Sequence, residues 1–241
     1  LNISSSDISI GPSDHRGLGY VRSWTTRGWR PLVIPTMSGS TSSPVISYMG
    51  KSWSFRSTGS GYVSDDPDGA ILSSDRSTFT AGDGMTIRFG HQDSIYTNLA
   101  SNLGVGTLVT FPDGTTRTLS YQTATMYRTS DLVIHYARLS SITSSTGYQL
   151  KFAFKSNVVS QTEDWGNVTQ ITAINNAVEF CDPVATTCSL SNVWPSVTYA
   201  GGSIKEPSGV TDAEGRTTTY SYSGGRLAAM RMPGAANNTV S

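Results

Sequence analysis

Helical periodicity is almost absent from this chain: Gly, Pro, Ser and Thr interrupt nearly every window of a dozen residues. An amphipathic helix needs apolar residues every three or four positions over several turns, and no stretch supplies them. What recurs instead is a short β-prone run, a turn, and another run, as in "GYVSDDPDGAILSS", "STFTAGDGMTIRFG" and "TLVTFPDGTTRTLSY". Asp and Gly accept the positive φ that hairpin turns need, and Pro fixes the corner before them. The chain is therefore expected to be all-β, built of antiparallel meander and hairpin sheets, with a β-sandwich or open barrel-like N-terminal part leading into further hairpins.

Three regions follow from strand spacing. Residues 1–43 read as an extended, weakly regular segment lying across the body, with Trp24 and Trp29 as anchors. Residues 44–125 read as a β-hairpin domain. In it "PVISYMGKSWSFR" turns at Met49-Gly50, and one face carries Val45, Trp53 and Phe55 or their neighbours. Residues 126–241 carry longer strands, with turns at Ser144 to Gly147, Ser156-Asn157, Trp165-Gly166-Asn167 and Asn175-Asn176. The boundary near residue 125 rests on that change in strand length. A chain of 241 residues suits one large all-β domain or two smaller ones.

Charge excludes some partners. Lys plus Arg and Asp plus Glu are equal at 17 each, so no net field draws the chain to nucleic acid or an acidic membrane. No apolar run is long enough to span a bilayer, and no leader-like stretch opens the chain; Leu1 reads as a processed or trimmed end. His15, His91 and His135 sit in unrelated contexts, and no nucleophile elbow, phosphate loop or zinc-protease motif occurs. No catalytic residue, metal site or cofactor is expected. "SDDPDGA" at 64–70 lacks the later carboxylate of a calcium loop and reads as a solvated turn. Glu163 and Asp164, adjacent on a strand, should face opposite ways, which leaves a glycosidase pair incomplete. Cys181 and Cys188 stand seven apart without further ligands for a metal. A local disulfide in an oxidising compartment and a reduced pair in a buried hairpin both fit that spacing.

The chain also resembles itself. "RLSSITSSTGYQLKFAF" at 138–154 and the stretch 210–227 share a frame: Arg-Leu, a few small residues, a turn ending in Gly147 or Gly215, and an alternating aromatic strand. In the second copy that strand carries Tyr220 and Tyr222, and Arg226-Leu227 follows. "FPDGTTRTLSY" at 111–121 repeats the turn and strand without the Arg-Leu lead. This frame resembles the YD repeat of the RHS family, with Ser223 standing where the family's final Asp follows Tyr222. The resemblance covers residues 45 to 241, most closely after 131, and leaves the first 43 uncovered. It implies pre-repeat structure leading into YD-repeat β-hairpins, truncated in mid-repeat at "RMPGAANNTVS".

In function, the resemblance implies a non-enzymatic scaffold from a large secreted, periplasmic or cell-surface protein, in a bacterium. Its repeats would form a shell around a C-terminal toxin or effector cargo, or serve adhesion. The partners implied are the rest of its own parent chain and any cargo it encloses. The family's release motif is missing, since "DPVAT" at 182–186 is not it, so neither self-cleavage nor toxicity carries over. A rival reading is a glycan-binding or adhesive module with Trp24, Trp29, Trp165 and Trp194 as ligand-facing aromatics; a glycan-acting hydrolase is the remaining alternative.

Overall fold

The computed structural model describes residues 3–26, 28–90, 104–129, 132–159, 162–201 and 203–239, with backbone only for 125–129, 132–136, 162 and 163. Among the described residues two open sheets hold the strands, and every pairing is antiparallel. β1 (Ser4–Ile10), β2 (Leu18–Thr25) and β3 (Gly28–Pro31) form a three-stranded sheet. The large sheet, with 16 strands among the described residues, begins with β4 (Thr36–Gly39), β5 (Pro44–Tyr48), β6 (Lys51–Ser57) and β7 (Tyr62–Ser64). β8 (Ile71–Leu72), β9 (Thr78–Thr80) and β10 (Thr86–Phe89) join it through β11 (Gly104–Thr110).

From β11 the chain runs as one meander, each strand pairing with the next. It passes through β12 (Thr116–Thr129), β13 (Leu132–Ser144), β14 (Tyr148–Phe154) and β15 (Val168–Asn175). It ends with β16 (Ser196–Ala200), β17 (Gly209–Thr211), β18 (Thr217–Ser223) and β19 (Arg226–Arg231). Residue 125 lies inside β12, whose ladder to β13 runs from Arg117↔Ser144 to Thr129↔Leu132. Residues 162–166 make a single helical turn, α1 (Thr162–Gly166), in place of the strand expected for Glu163 and Asp164. Among the described residues no helix is long and apolar enough to cross a membrane.

Turn chemistry sets the register. The pairs Thr80↔Thr86, Thr110↔Thr116, Thr143↔Gln149 and Thr211↔Thr217 each flank a five-residue loop whose fourth member is glycine. These are Gly84, Gly114, Gly147 and Gly215, with φ of 90°, 84°, 93° and 78°. Each glycine N–H donates to the carbonyl that opens its loop, on Ala81, Phe111, Ser144 and Asp212 respectively. That is a type I turn closed by a left-handed residue, a hairpin in which a side chain at the fourth place would be strained. Asp83 and Asp113 brace two of these loops by accepting the N–H two residues on, from Met85 and Thr115. The shared register fixes side-chain parity: the fifth residue past each glycine, Phe89, Leu119, Phe152 and Tyr220, is buried.

β5 and β6 meet in a tighter hairpin. Tyr48 pairs with Lys51, and Met49 and Gly50 between them have φ of 49° and 80°, the two-residue turn that matches strand twist. The buried face of this hairpin carries Ile46 opposite Trp53, with Tyr48 and Phe55. Val45, opposite Ser54, points the other way, because neighbours on a strand alternate faces.

The N-terminal residues are regular strand. β1 meets β15 and β16, and β2 meets β13 and β14, so the small sheet lies face-on across the large one. Tyr20 meets Phe152 edge-on at 5.6 Å, while Leu150, Ile171 and Val197 complete the layer beneath. At the far side the Trp29 N–H donates to the Lys205 carbonyl, and Gly28 fits because a Cβ there would stand 2.8 Å from that oxygen. At the near side Arg117 donates to the Tyr48 hydroxyl and to the His15 and Gly17 carbonyls, pinning the β1–β2 connection.

Met49 holds a left-handed conformation that Asn adopts more readily, and its side chain is 44% exposed with little packing to lose. Met49→Asn is therefore expected to stabilise the fold by about 0.5–1 kcal/mol, read as a higher urea midpoint at unchanged m-value.

Candidate functional site

The strongest polar constellation lies between the two sheets. The β1–β2 register shifts between Ser6 and Ile8, so Asp7 is the extra residue of a bulge and turns inward. Its carboxylate meets Arg22 of β2, and both side chains are only 1% exposed. Arg22 Nε donates to Asp7 Oδ2 and Arg22 Nη2 to Oδ1. The Tyr199 hydroxyl donates to Oδ2 at 2.6 Å and the Ser5 hydroxyl to Oδ1 at 2.8 Å. The guanidinium lies over the rings of Trp29 at 4.6 Å and Tyr199 at 5.2 Å. Four donors fill the four lone-pair positions of the carboxylate, so it has no vacancy from which to act as base or nucleophile.

Burial raises the pKa of the surrounding tyrosines. Tyr20, Tyr199 and Tyr220 are shifted upward by desolvation first, and the charge of Asp7 adds to each. Burial also pushes Tyr222 up to about 12.

Beside this pair a cleft of about 440 Å³ opens between β1 and the β17–β18 hairpin. Ser5, Ser6 and Asp7 form one wall; Asp212, Arg216 and Thr218 form the other. Asp212 Oδ1 accepts the Glu214 and Arg216 N–H groups, and Oδ2 accepts Arg216 Nε at 2.8 Å. Arg216 Nη2 donates to Glu214. Asp212 to Arg216 thus form a turn that also lines an opening.

On the opposite face of the large sheet a loop, residues 176–195, closes over β12–β14. Cys181 and Cys188 are joined in a disulfide, with Cα atoms 5.6 Å apart. Glu179 ties the base of the loop by accepting from Ser191, Asn192 and Trp194 Nε1. The Ser191 N–H bond, then Trp194, holds its carboxyl down at about 2. Lys151 Nζ donates to three loop carbonyls, of Asp182, Pro183 and Ala185, while Ser140 and Gln122 hold Pro183 and Val184.

The tryptophans are placed otherwise than the glycan-platform reading expected. Trp29 and Trp165 are 2% and 5% exposed: they are core residues, with no free ring face for a ligand. Trp165 and Phe154 sandwich the Arg138 guanidinium at 4.5 and 4.0 Å. Trp24 is half-buried against Trp29 and Tyr222, and Trp194 is bound to Glu179. Lys151, under the loop, and Phe152, under the small sheet, are successive residues and point to opposite faces. Trp24 and Trp194 therefore do not share a platform.

Asp68 accepts from Trp53 Nε1 at 2.8 Å and Asp66 from the Ser54 N–H, so "SDDPDGA" is a braced turn. Asp164 pairs with Lys155 at 2.9 Å, and His15 with Asp113 at 2.7 Å. His91 lies outside the described residues, and of His135 only the backbone, on β13, is described. Among the described residues no group of three or more His, Cys, Asp and Glu is placed to hold a metal ion. Sequence reasoning missed Asp7 and Arg22; the signal was one charged residue in each of the runs "SSSDISI" and "LGYVRSWT". Compared with known proteins, the chain matches no family model and no curated protein.

Asp7→Asn leaves the Arg22 charge buried without a counter-charge and is expected to cost about 3–5 kcal/mol by urea unfolding, most of it recovered in the double variant Asp7→Leu/Arg22→Met. The tyrosines give an alkaline signature. Their folded pKa values lie above the unfolded value of about 10, so their contribution is full below pH 10 and is lost as pH rises through the folded values. Stability should therefore fall from pH 10 to 12. Tyr199→Phe should reduce that slope by about 1.4 kcal/mol per pH unit.

Proposed function

We propose that the chain is a non-enzymatic β-scaffold from a large secreted or cell-surface protein of the RHS/YD-repeat kind, serving as shell for a C-terminal cargo or as an adhesion element. The observation that carries this reading is the recurrence of one hairpin. The two self-similar stretches of sequence, 138–154 and 210–227, are the β13–β14 and β17–β18 hairpins, with Gly147 and Gly215 at the same loop position. Their equivalent aromatics do equivalent work. Phe152 and Tyr220, each five past its glycine, receive Tyr20 and Trp29 of the small sheet edge-on. A unit that buries its face against a common partner and pairs edge to edge with its neighbour is the physical content of a repeat scaffold.

The side-chain chemistry supports a structural role. The buried carboxylate of Asp7 is saturated by donors, while Asp68 and Asp113 brace turns and Asp164 forms a surface pair with Lys155. The Cys181–Cys188 disulfide supports an oxidising compartment.

β19 lies at one end of the large sheet, and among the described residues no strand pairs with its outer side, where the Met230 carbonyl accepts the Thr239 N–H. In a repeat scaffold the following hairpin covers that edge. Hydrogen exchange should then show the outward amides of Arg226–Arg231 exchanging fast in this chain and slowed at least about 100-fold in the parent protein. Equal exchange in both would overturn the reading.

A further inference from the structure

We infer that the loop bridged by Cys181 and Cys188 is a reducible latch: a dithiol reductant attacks it at Cys188, and the reduced loop lifts from a polar face of the large sheet. The inference rests on what lies beneath the loop and stands apart from the scaffold reading. Ser141 and Gln149 share the face of β13 and β14 that carries Lys151, whose Nζ reaches the Asp182, Pro183 and Ala185 carbonyls of the loop. Both residues are fully buried. The Ser141 Oγ and both amide atoms of Gln149 are sealed from solvent and have no hydrogen-bond partner among the described residues. The closed loop thus strips water from three polar atoms without replacing it, and lifting the loop removes that penalty.

Little apolar contact offsets the penalty. The large apolar side chains of the loop, Val178, Phe180, Val184 and Val193, are each more than half exposed, so they contribute little area to closure. Bonds from Lys151, Ser140 and Gln122 to the loop carbonyls hold it, and each can be exchanged for a bond to water. Those acceptors, on Asp182, Pro183, Val184 and Ala185, all lie between the two cysteines. The disulfide therefore presents them to the sheet already ordered. Without it, ordering the segment costs conformational entropy that exchangeable bonds do not offset. Glu179 keeps its bonds to Ser191, Asn192 and Trp194 in either state, because all four residues belong to the loop.

The sulphur that a reductant meets first is that of Cys188, which is half-buried, whereas Cys181 is 1% exposed. A thiolate of the dithiol attacks Cys188 Sγ, the S–S bond breaks, and its electron pair leaves on Cys181 Sγ. The second thiol of the reductant then displaces Cys188 and closes the reductant into its own disulfide, while the released thiolates take protons from solvent. Two electrons pass from the dithiol to the protein. Lys151 favours the first step. Its Nζ donates to the Asp182 carbonyl at 3.1 Å, and Cys181 Sγ lies 3.8 Å from that same oxygen, so the departing thiolate forms near an ammonium. Burial lowers the Lys151 pKa to about 8, with Arg138 adding to the shift and Asp182 opposing it, so the ammonium is present at pH 7. The loop is closed where disulfides persist and open where thiols prevail.

Dithiothreitol added to the intact chain without denaturant tests this, with the thiols trapped by iodoacetamide and counted by mass. Both cysteines should be labelled while the far-UV CD spectrum keeps its β form. In the reduced chain the amides of 177–195 should exchange at least about tenfold faster than in the oxidised chain. Lys151 should likewise react about tenfold faster with an N-hydroxysuccinimide ester, a gain that loss of the disulfide alone, with the loop still seated, does not produce. Gln149→Leu replaces the unpaired amide by an apolar group of similar size and should cut opening of the reduced loop about tenfold. Ser141→Ala should cut it about threefold, and decides in place of Gln149→Leu if that chain misfolds. Reduction only on global unfolding, a reduced loop as protected as the oxidised one, or a folded Gln149→Leu chain whose loop opens as readily as the native one would overturn the inference. None of these outcomes alters the exchange behaviour of β19, so failure here is separable from failure of the scaffold reading.

Discussion

One carboxylate, that of Asp7, joins the two sheets of this protein. The small sheet contributes few large apolar side chains of its own, chiefly Ile8, Leu18, Tyr20 and Trp29. Its own charge pair, Asp7 of β1 with Arg22 of β2, has left water beneath it, and the Tyr199 hydroxyl of the large sheet donates to that carboxylate. A buried pair of this kind adds little stability over an apolar contact of similar volume, but a shift between the sheets would take the Tyr199 donor from a carboxylate that has no water to replace it. Tyr199 from the large sheet completes the coordination, so the pair reads the position of one sheet against the other. Trp29, Tyr220 and Tyr222 then pack where that position puts them.

Much of the fold was legible in short stretches because turn chemistry is local. Asp-Gly and Gly at fixed spacing identified the loops at 81–85, 111–115 and 212–216 without reference to anything distant. Facing was less legible. Val45 and Ile46 are equally apolar neighbours, and only the register with β6 decides that Ile46 meets Trp53. The irregular look of the first 43 residues came from Gly and Pro breaks, whereas their strand structure depends on mutual pairing and on docking to β13–β16. Glu163 and Asp164 fell in a helical turn too short for any periodicity to announce it.

The cleft was not legible: the stretch 210–227 read as a repeat turn and its strand, and the facing wall, Ser5 to Asp7, lies some two hundred residues earlier in the chain. Composition gave no hint of that meeting. The tryptophans misled for a related reason. In a chain rich in Gly, Ser and Thr, the few bulky rings are the mass available to fill the core, and Trp29, Trp53 and Trp165 are consumed there. The two cysteines left oxidised and reduced readings open, and the geometry of the loop they close settles it.

The meander and the small sheet answer differently to tension. From β11 to β19 the strands are ordered along the sheet as they are along the chain, so a pull on the C-terminal end peels them off one at a time, like a zipper. β1–β3 run instead as a stitch across several of those strands, fastened near the 111–115 and 144–147 loops and again at Lys205 and Tyr222. Peeling meets the stitch at β18, where Trp24 and Trp29 grip Tyr222 and Tyr220, and further rupture must break lateral contacts together with the ladder. A sheet that would otherwise unravel at low force thereby acquires a mechanical stop one strand from its open edge.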